Sequence, residues 1–120
     1  MIIATRVLTS LLALIALATG ALGLVNGLGD AAVEPILDNN YRFFAGVWFV
    51  VGIGLVHTVI DIKGSTKLHR LLMIAIAVGG IGRAIGMLDY APERRMIIGT
   101  LIETILPVLL IWMGAKVAKR

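Results

Sequence analysis

An all-α, transmembrane four-helix bundle is the fold that three features of this sequence predict. Four apolar runs, Val7–Val25, Phe43–Ile60, Leu71–Leu88 and Met96–Met113, approach or reach the ~20 residues that cross a bilayer core. The 120-residue chain is 59% hydrophobic and 15% charged, whereas soluble domains run about 45–50% and about 25%. The connections between runs are short, which makes successive helices antiparallel neighbours. The expected architecture is one integral membrane domain over residues 1–120, arranged up-down-up-down, with spans at about 5–26, 40–61, 67–89 and 94–116.

The first span begins after Arg6 and could pass for a signal peptide, but its apolar run exceeds the usual ~7–15-residue core of one. Thr9, Ala13, Ala16, Gly20, Gly23 and Gly27 recur on it at helical spacing. A stripe of small residues lets helix backbones approach closely in lipid. Asn26 to Asp38 reads as an acidic loop, with a short interfacial turn around Ala31–Leu37. Asp38, Asn39 and Asn40 are good N-cap types for the second span. Arg42 enters the membrane with that span, and Gly46 and His57 share its face.

Asp61 to Lys67 is a tight connection in which Gly64 suits a helix C-cap and Ser65 or Thr66 an N-cap. The third span contains Gly79, Gly80, Gly82, Arg83 and Gly86. Glycine costs helix propensity, so the cluster calls for a reason, and close helix packing beside the arginine supplies one. Pro92 is placed to open the fourth span, which buries Glu103 with Pro107 one turn later. Proline has no N–H, so the Glu103 carbonyl loses its helical partner. Trp112 lies near a membrane boundary, as belt tryptophans do.

Charge placement sets topology and excludes some functions. The net charge is +4, but the basic residues flank apolar segments and form no stripe with aromatics, which argues against nucleic acid. Arg6, Lys63, Lys67, Arg70, Lys116, Lys119 and Arg120 fall on one side. The other side sets Arg42, Arg94 and Arg95 against Asp30, Glu34, Asp38, Asp89 and Glu93. By the positive-inside rule both termini are cytoplasmic. The chain has no cysteine, which removes disulfides and thiol chemistry. No phosphate loop, catalytic triad or metal-ligand spacing is present, so neither cofactor nor metal is expected.

The intramembrane charges are the candidate site. Arg83 lies six residues before Asp89 and Glu103 seven after Met96, or about 9 and about 10 Å below the acidic surface at helical rise. The two are therefore level and are expected to pair, with Asn39, Asn40 and Arg42 bordering them. Gly20, Gly23, Gly46, Gly79, Gly82 and Gly86 are the expected helix-packing positions. A structural reading makes the charges fix helix register. A functional one opens a polar pocket outward to a ligand or to protons.

Three motifs together carry a resemblance: Asn39-Asn40-Tyr41-Arg42-Phe43-Phe44-Ala45-Gly46, then Gly80-Ile81-Gly82-Arg83, then Glu103 followed by Pro107. The sequence resembles, over nearly its whole length, a family of small bacterial four-span membrane proteins classed as a domain of unknown function. That resemblance implies a bacterial inner (plasma) membrane location and the same polar cluster. It implies no activity.

The leading functional expectation is a non-enzymatic accessory or scaffold subunit. It would act through helix contacts with another membrane protein or a second copy of itself, within the lipid bilayer. The alternative is a protein that binds or carries a small ligand, a lipid headgroup or a proton through Arg42, Arg83 and Glu103. An enzyme acting on a lipid or quinone is disfavoured, because Glu103 and His57 lie toward opposite faces of the bilayer.

Overall fold

The computed structural model describes residues 1–29, 34–89 and 91–119. Among them are four α-helices and no strand: α1 Ile2–Asn26, α2 Pro35–Ile60, α3 Thr66–Gly86 and α4 Arg94–Ala118. A 3₁₀ turn, Met87–Asp89, follows α3. All four helices are long and apolar enough to cross a membrane, so the chain is a multi-pass membrane protein.

Several helix ends differ from the sequence expectation. α2 begins at Pro35 rather than near residue 40. Proline at the first helical position has its φ already set and no N–H to leave unsatisfied. Asp38, Asn39 and Asn40 therefore lie inside the helix and do not cap it. Ile36 and Leu37 belong to α2, and Ala31–Val33 fall outside the described residues. Pro92 stops short of α4, whose N-cap is Glu93. Gly64 is not a left-handed cap, since only Gly27 and Gly29 have positive φ among the described residues. Asp61 ends α2, and its Oδ1 accepts the Gly64 N–H at 2.9 Å.

The helices pair into two hairpins, α1 with α2 and α3 with α4. Lipid tails are as apolar as the side chains, so close packing must hold a membrane hairpin together. Gly20 provides it in the first: a Cβ there would lie 2.7 Å from the Phe49 nitrogen and 2.9 Å from the Ala45 oxygen. Gly52 faces Leu17 as tightly. In the second hairpin, Gly80 packs on the Glu103 carbonyl, with its absent Cβ 3.0 Å from that oxygen. This is the carbonyl that Pro107 leaves without a helical donor, and a Cα–H contact from glycine suits it.

The first hairpin also caps itself at both ends. Arg6 of α1 donates to the Ile60 carbonyl at the end of α2 (3.3 Å). Arg42 of α2 donates to the Leu24 and Val25 carbonyls at the end of α1 (2.7 and 3.0 Å). Each guanidinium meets the carbonyls a helix C-terminus leaves free, where the dipole favours a cation.

Between the hairpins packing is uneven. The shared core is Leu12, Ala13, Leu55, Met73, Ile76, Leu110 and Met113. These residues lie toward the start of α1 and α3 and the end of α2 and α4, which is the basic end. The buried positions of α3 stop at Gly80, and residues 81–86 are uncovered. The hairpins are thus fastened at the basic end and part toward the acidic end, where a cleft opens between them.

Candidate functional site

Arg83 and Glu103 sit at the open end of this cleft. Arg83 forms an ion pair with Glu103 across the α3–α4 hairpin, with Nε 2.9 Å from Oε2. The two side chains are covered unequally, Arg83 being 60% exposed and Glu103 18%. Guanidinium has five N–H donors in a fixed fork, four of them on the two Nη groups. Among the described residues the Nη groups have no hydrogen-bond partner, so four donors remain for something else.

The cleft has a volume of about 620 Å³, within the ~300–1,000 Å³ of ordinary small-molecule sites. Its walls come from both hairpins. Phe44, Val51 and Ile76 make it apolar, and Arg83 and Glu103 supply its charge. A second polar feature lines the opposite wall: Trp48 Nε1 donates to Thr19 Oγ1 (2.9 Å), which donates to the Ile15 carbonyl (2.6 Å). This relay satisfies the indole N–H at the cleft surface and holds the Trp48 ring as part of the wall.

Arg42, Asn39 and Asn40 do not join Arg83 and Glu103, contrary to the sequence expectation. Arg42 Nε pairs with Asp38 Oδ2 one turn earlier (2.7 Å), and Asp38 Oδ1 accepts the Leu28 N–H (2.8 Å). With its two carbonyl contacts, Arg42 ties the end of α1 to the start of α2. Gly27 is required beneath it, since φ is +58° and a Cβ would collide with Asp38 and Arg42. Asn39 and Asn40 are exposed and make no side-chain hydrogen bond among the described residues. The reason is rotation: extending α2 back to Pro35 carries the asparagines to its outer face. The Arg42→Gln variant is expected to raise amide exchange severalfold at Leu28 and in the last turn of α1 while leaving the cleft unchanged. Hydrogen-exchange mass spectrometry reads this directly, and equal acceleration around Arg83 would contradict it.

The glycines also divide. Gly20 and Gly23 are packed within the first hairpin, and Gly46 contacts Leu24 more loosely. A Cβ added at Gly79, Gly82 or Gly86 would meet nothing within 4 Å, so these three make no helix contact among the described residues. Gly80, the other member of the glycine cluster expected to pack beside Arg83, is the α3 glycine that lets α3 approach α4 closely. It projects toward α4 at a helical rotation the other three do not share.

A family model for a domain of unknown function, DUF4345, matches residues 4–113. The chain belongs to this family. No curated protein and no solved structure matches it. The matched span of this DUF4345 chain takes in all the cleft residues named above.

Sequence reasoning about the DUF4345 chain missed Thr19, Trp48 and the lining residue Tyr41. A signal for one was available. Trp48 lies in the middle of a span rather than in the belt, and a tryptophan at that depth needs an acceptor on a neighbouring helix. His57, the other acid–base candidate in the spans, is exposed on α2 and does not line the cleft.

Proposed function

We propose that this membrane protein binds a bilayer amphiphile, without covalent chemistry, in the cleft between its hairpins. The observation that carries the reading is the Arg83 guanidinium, paired with Glu103, 60% exposed and lining a largely apolar cleft. Its free donors suit an oxygen-rich head, such as a phosphate, carboxylate or ester. The apolar walls suit one hydrocarbon chain. Fastening at the basic end makes the cleft a dead end, which fits binding better than conduction.

Location and orientation are part of the same reading. The family resemblance supports a bacterial inner membrane, and the basic end with both termini supports a cytoplasmic side. The head would then sit toward the external surface.

The test is native mass spectrometry of protein extracted with its surrounding lipid. Wild type is expected to retain a stoichiometric amphiphile that Arg83→Gln releases. Equal retention by both would contradict the reading.

One observation favours the accessory-subunit reading as second. Gly79, Gly82 and Gly86 leave the outer part of α3 uncovered and smooth, as a helix contact with another chain requires. The α1 glycines no longer support it, because α2 occupies them. A protein chain retained in the same spectra, with no amphiphile, would favour this alternative.

A further inference from the structure

A second, smaller pocket lies at the opposite end of the molecule, between the start of α3 and the end of α4. Its volume is about 230 Å³. That is below the ~300 Å³ where whole-ligand sites begin, yet several times the ~30 Å³ share of one water. It has room for a headgroup and not for a chain.

Its lining is cationic. Arg70 projects from α3 and Lys119 from the end of α4, and no acidic residue lines the pocket among the described residues. Neither cation has an ion-pair partner among those residues. Thr66 places the first turn of α3 at the same pocket, and that helix start has no side-chain cap. Its unsatisfied N–H groups add a partial positive charge. Two cations with no carboxylate beside them disfavour a metal ion and suit an oxyanion.

His69 completes the site from inside. It is 1% exposed, and its Nε2 lies 3.1 Å from Thr9 Oγ1. Thr5, Thr19 and Thr104 each return their hydroxyl proton to the carbonyl four residues earlier. Thr9 makes no such bond, so its proton goes to His69 Nε2, and by this network assignment Nδ1 carries the ring N–H. Nδ1 points toward Gly114, where a Cβ would stand 3.2 Å away. Gly114 thus keeps the ring edge open to the pocket. The donor set is Arg70, Lys119 and a buried imidazole N–H, drawn from two helices.

We propose that this pocket binds a phosphate group, supplied by the headgroup of an anionic phospholipid in the leaflet at the basic end. Basic pockets between transmembrane helices take such headgroups. Lys116, stacked 3.8 Å over Trp112 on the same helix, marks the membrane boundary there, which sets the pocket at headgroup depth. The site is independent of the Arg83 cleft and stands whether or not an amphiphile binds there.

The test is native mass spectrometry of the full chain from bilayers of phosphatidylcholine doped with phosphatidylglycerol. Wild type is expected to retain phosphatidylglycerol above its bilayer fraction. The Arg70→Gln/Lys119→Gln variant is expected to lose that enrichment about thirtyfold, as two membrane-surface cations would give. Lys63→Gln/Lys67→Gln removes the same charge from the same end outside the pocket and is expected to keep it. Equal loss in both variants means diffuse surface attraction and overturns the proposal, as does no loss in either. Inorganic phosphate added to delipidated protein separates the sources: binding that the pocket variant abolishes assigns the site to free phosphate as well. A measurement on wild type alone covers a variant that fails to fold. Phosphatidylglycerol is expected to slow acetylation of Lys119 relative to Lys63, and equal rates would overturn the proposal.

Discussion

Arg83→Met is expected to destabilise the protein more than Glu103→Met, and the double variant less than either. The asymmetry follows from reach and burial. Arginine has a long stem and its side chain is already 60% exposed, so without Glu103 it can turn toward the headgroups. Glutamate is short, 18% exposed, and sits on the α4 turn that Gly80 presses against. Without Arg83 its charge stays in an apolar setting, at a cost of up to about 2.5 kcal/mol on the insertion scale, whereas a stranded arginine that reaches the headgroups costs less. Replacing both with an apolar side chain removes the desolvated charges together, which is often close to neutral. Unfolding by sodium dodecyl sulfate titration in mixed micelles reads the three values. Additive losses would mean that the two groups do not interact in the membrane. The double variant also separates folding from recognition, because it is expected to fold as wild type does and still release the amphiphile.

The second large effect concerns glycines that look alike in the sequence. Gly20→Ala is expected to destabilise the first hairpin by about 2 kcal/mol, the usual size of an overpacking penalty. The methyl group would press on the Phe49 and Ala45 backbone, which cannot move aside as a flexible side chain can. Gly79→Ala and Gly82→Ala meet nothing within 4 Å. They are expected to be neutral or to stabilise by up to about 1 kcal/mol, through helix propensity alone. The same denaturant titration compares all three. If Gly79→Ala or Gly82→Ala proves as damaging as Gly20→Ala, the α3 face is packed against something in the membrane, and the accessory-subunit reading gains.

Span number and approximate limits are written in residue type, because a bilayer core demands long apolar runs. The Arg83–Glu103 ion pair was legible through depth, since helical rise converts position into height and short connections make neighbours antiparallel. Arg42 shows the limit of that reasoning. Height along a helix says nothing about rotation around it, and Arg42 is held by Asp38 against the carbonyls at the end of α1. The glycines fail for the same reason: Gly79, Gly80 and Gly82 are close in sequence, but only Gly80 points at α4. The cleft itself was not legible. It depends on where the hairpins stop touching, which is a property of two surfaces rather than of any one segment. Trp48 was the nearest sequence sign of it.

On the proposed reading the cleft holds a hydrocarbon chain whose head is bound by Arg83. A lipid carrying a photoreactive group midway along its chain tests this most directly. Crosslinks to Val51 and Ile76 in the cleft are expected to saturate, to be displaced by unlabelled lipid and to vanish in the Arg83→Met/Glu103→Met variant. Crosslinks to the outward-facing Phe43 and Val108, both uncovered by protein, should rise without saturation in both proteins. Labelling of Val51 and Ile76 that neither saturates nor depends on Arg83 would show that the cleft is ordinary lipid-facing surface.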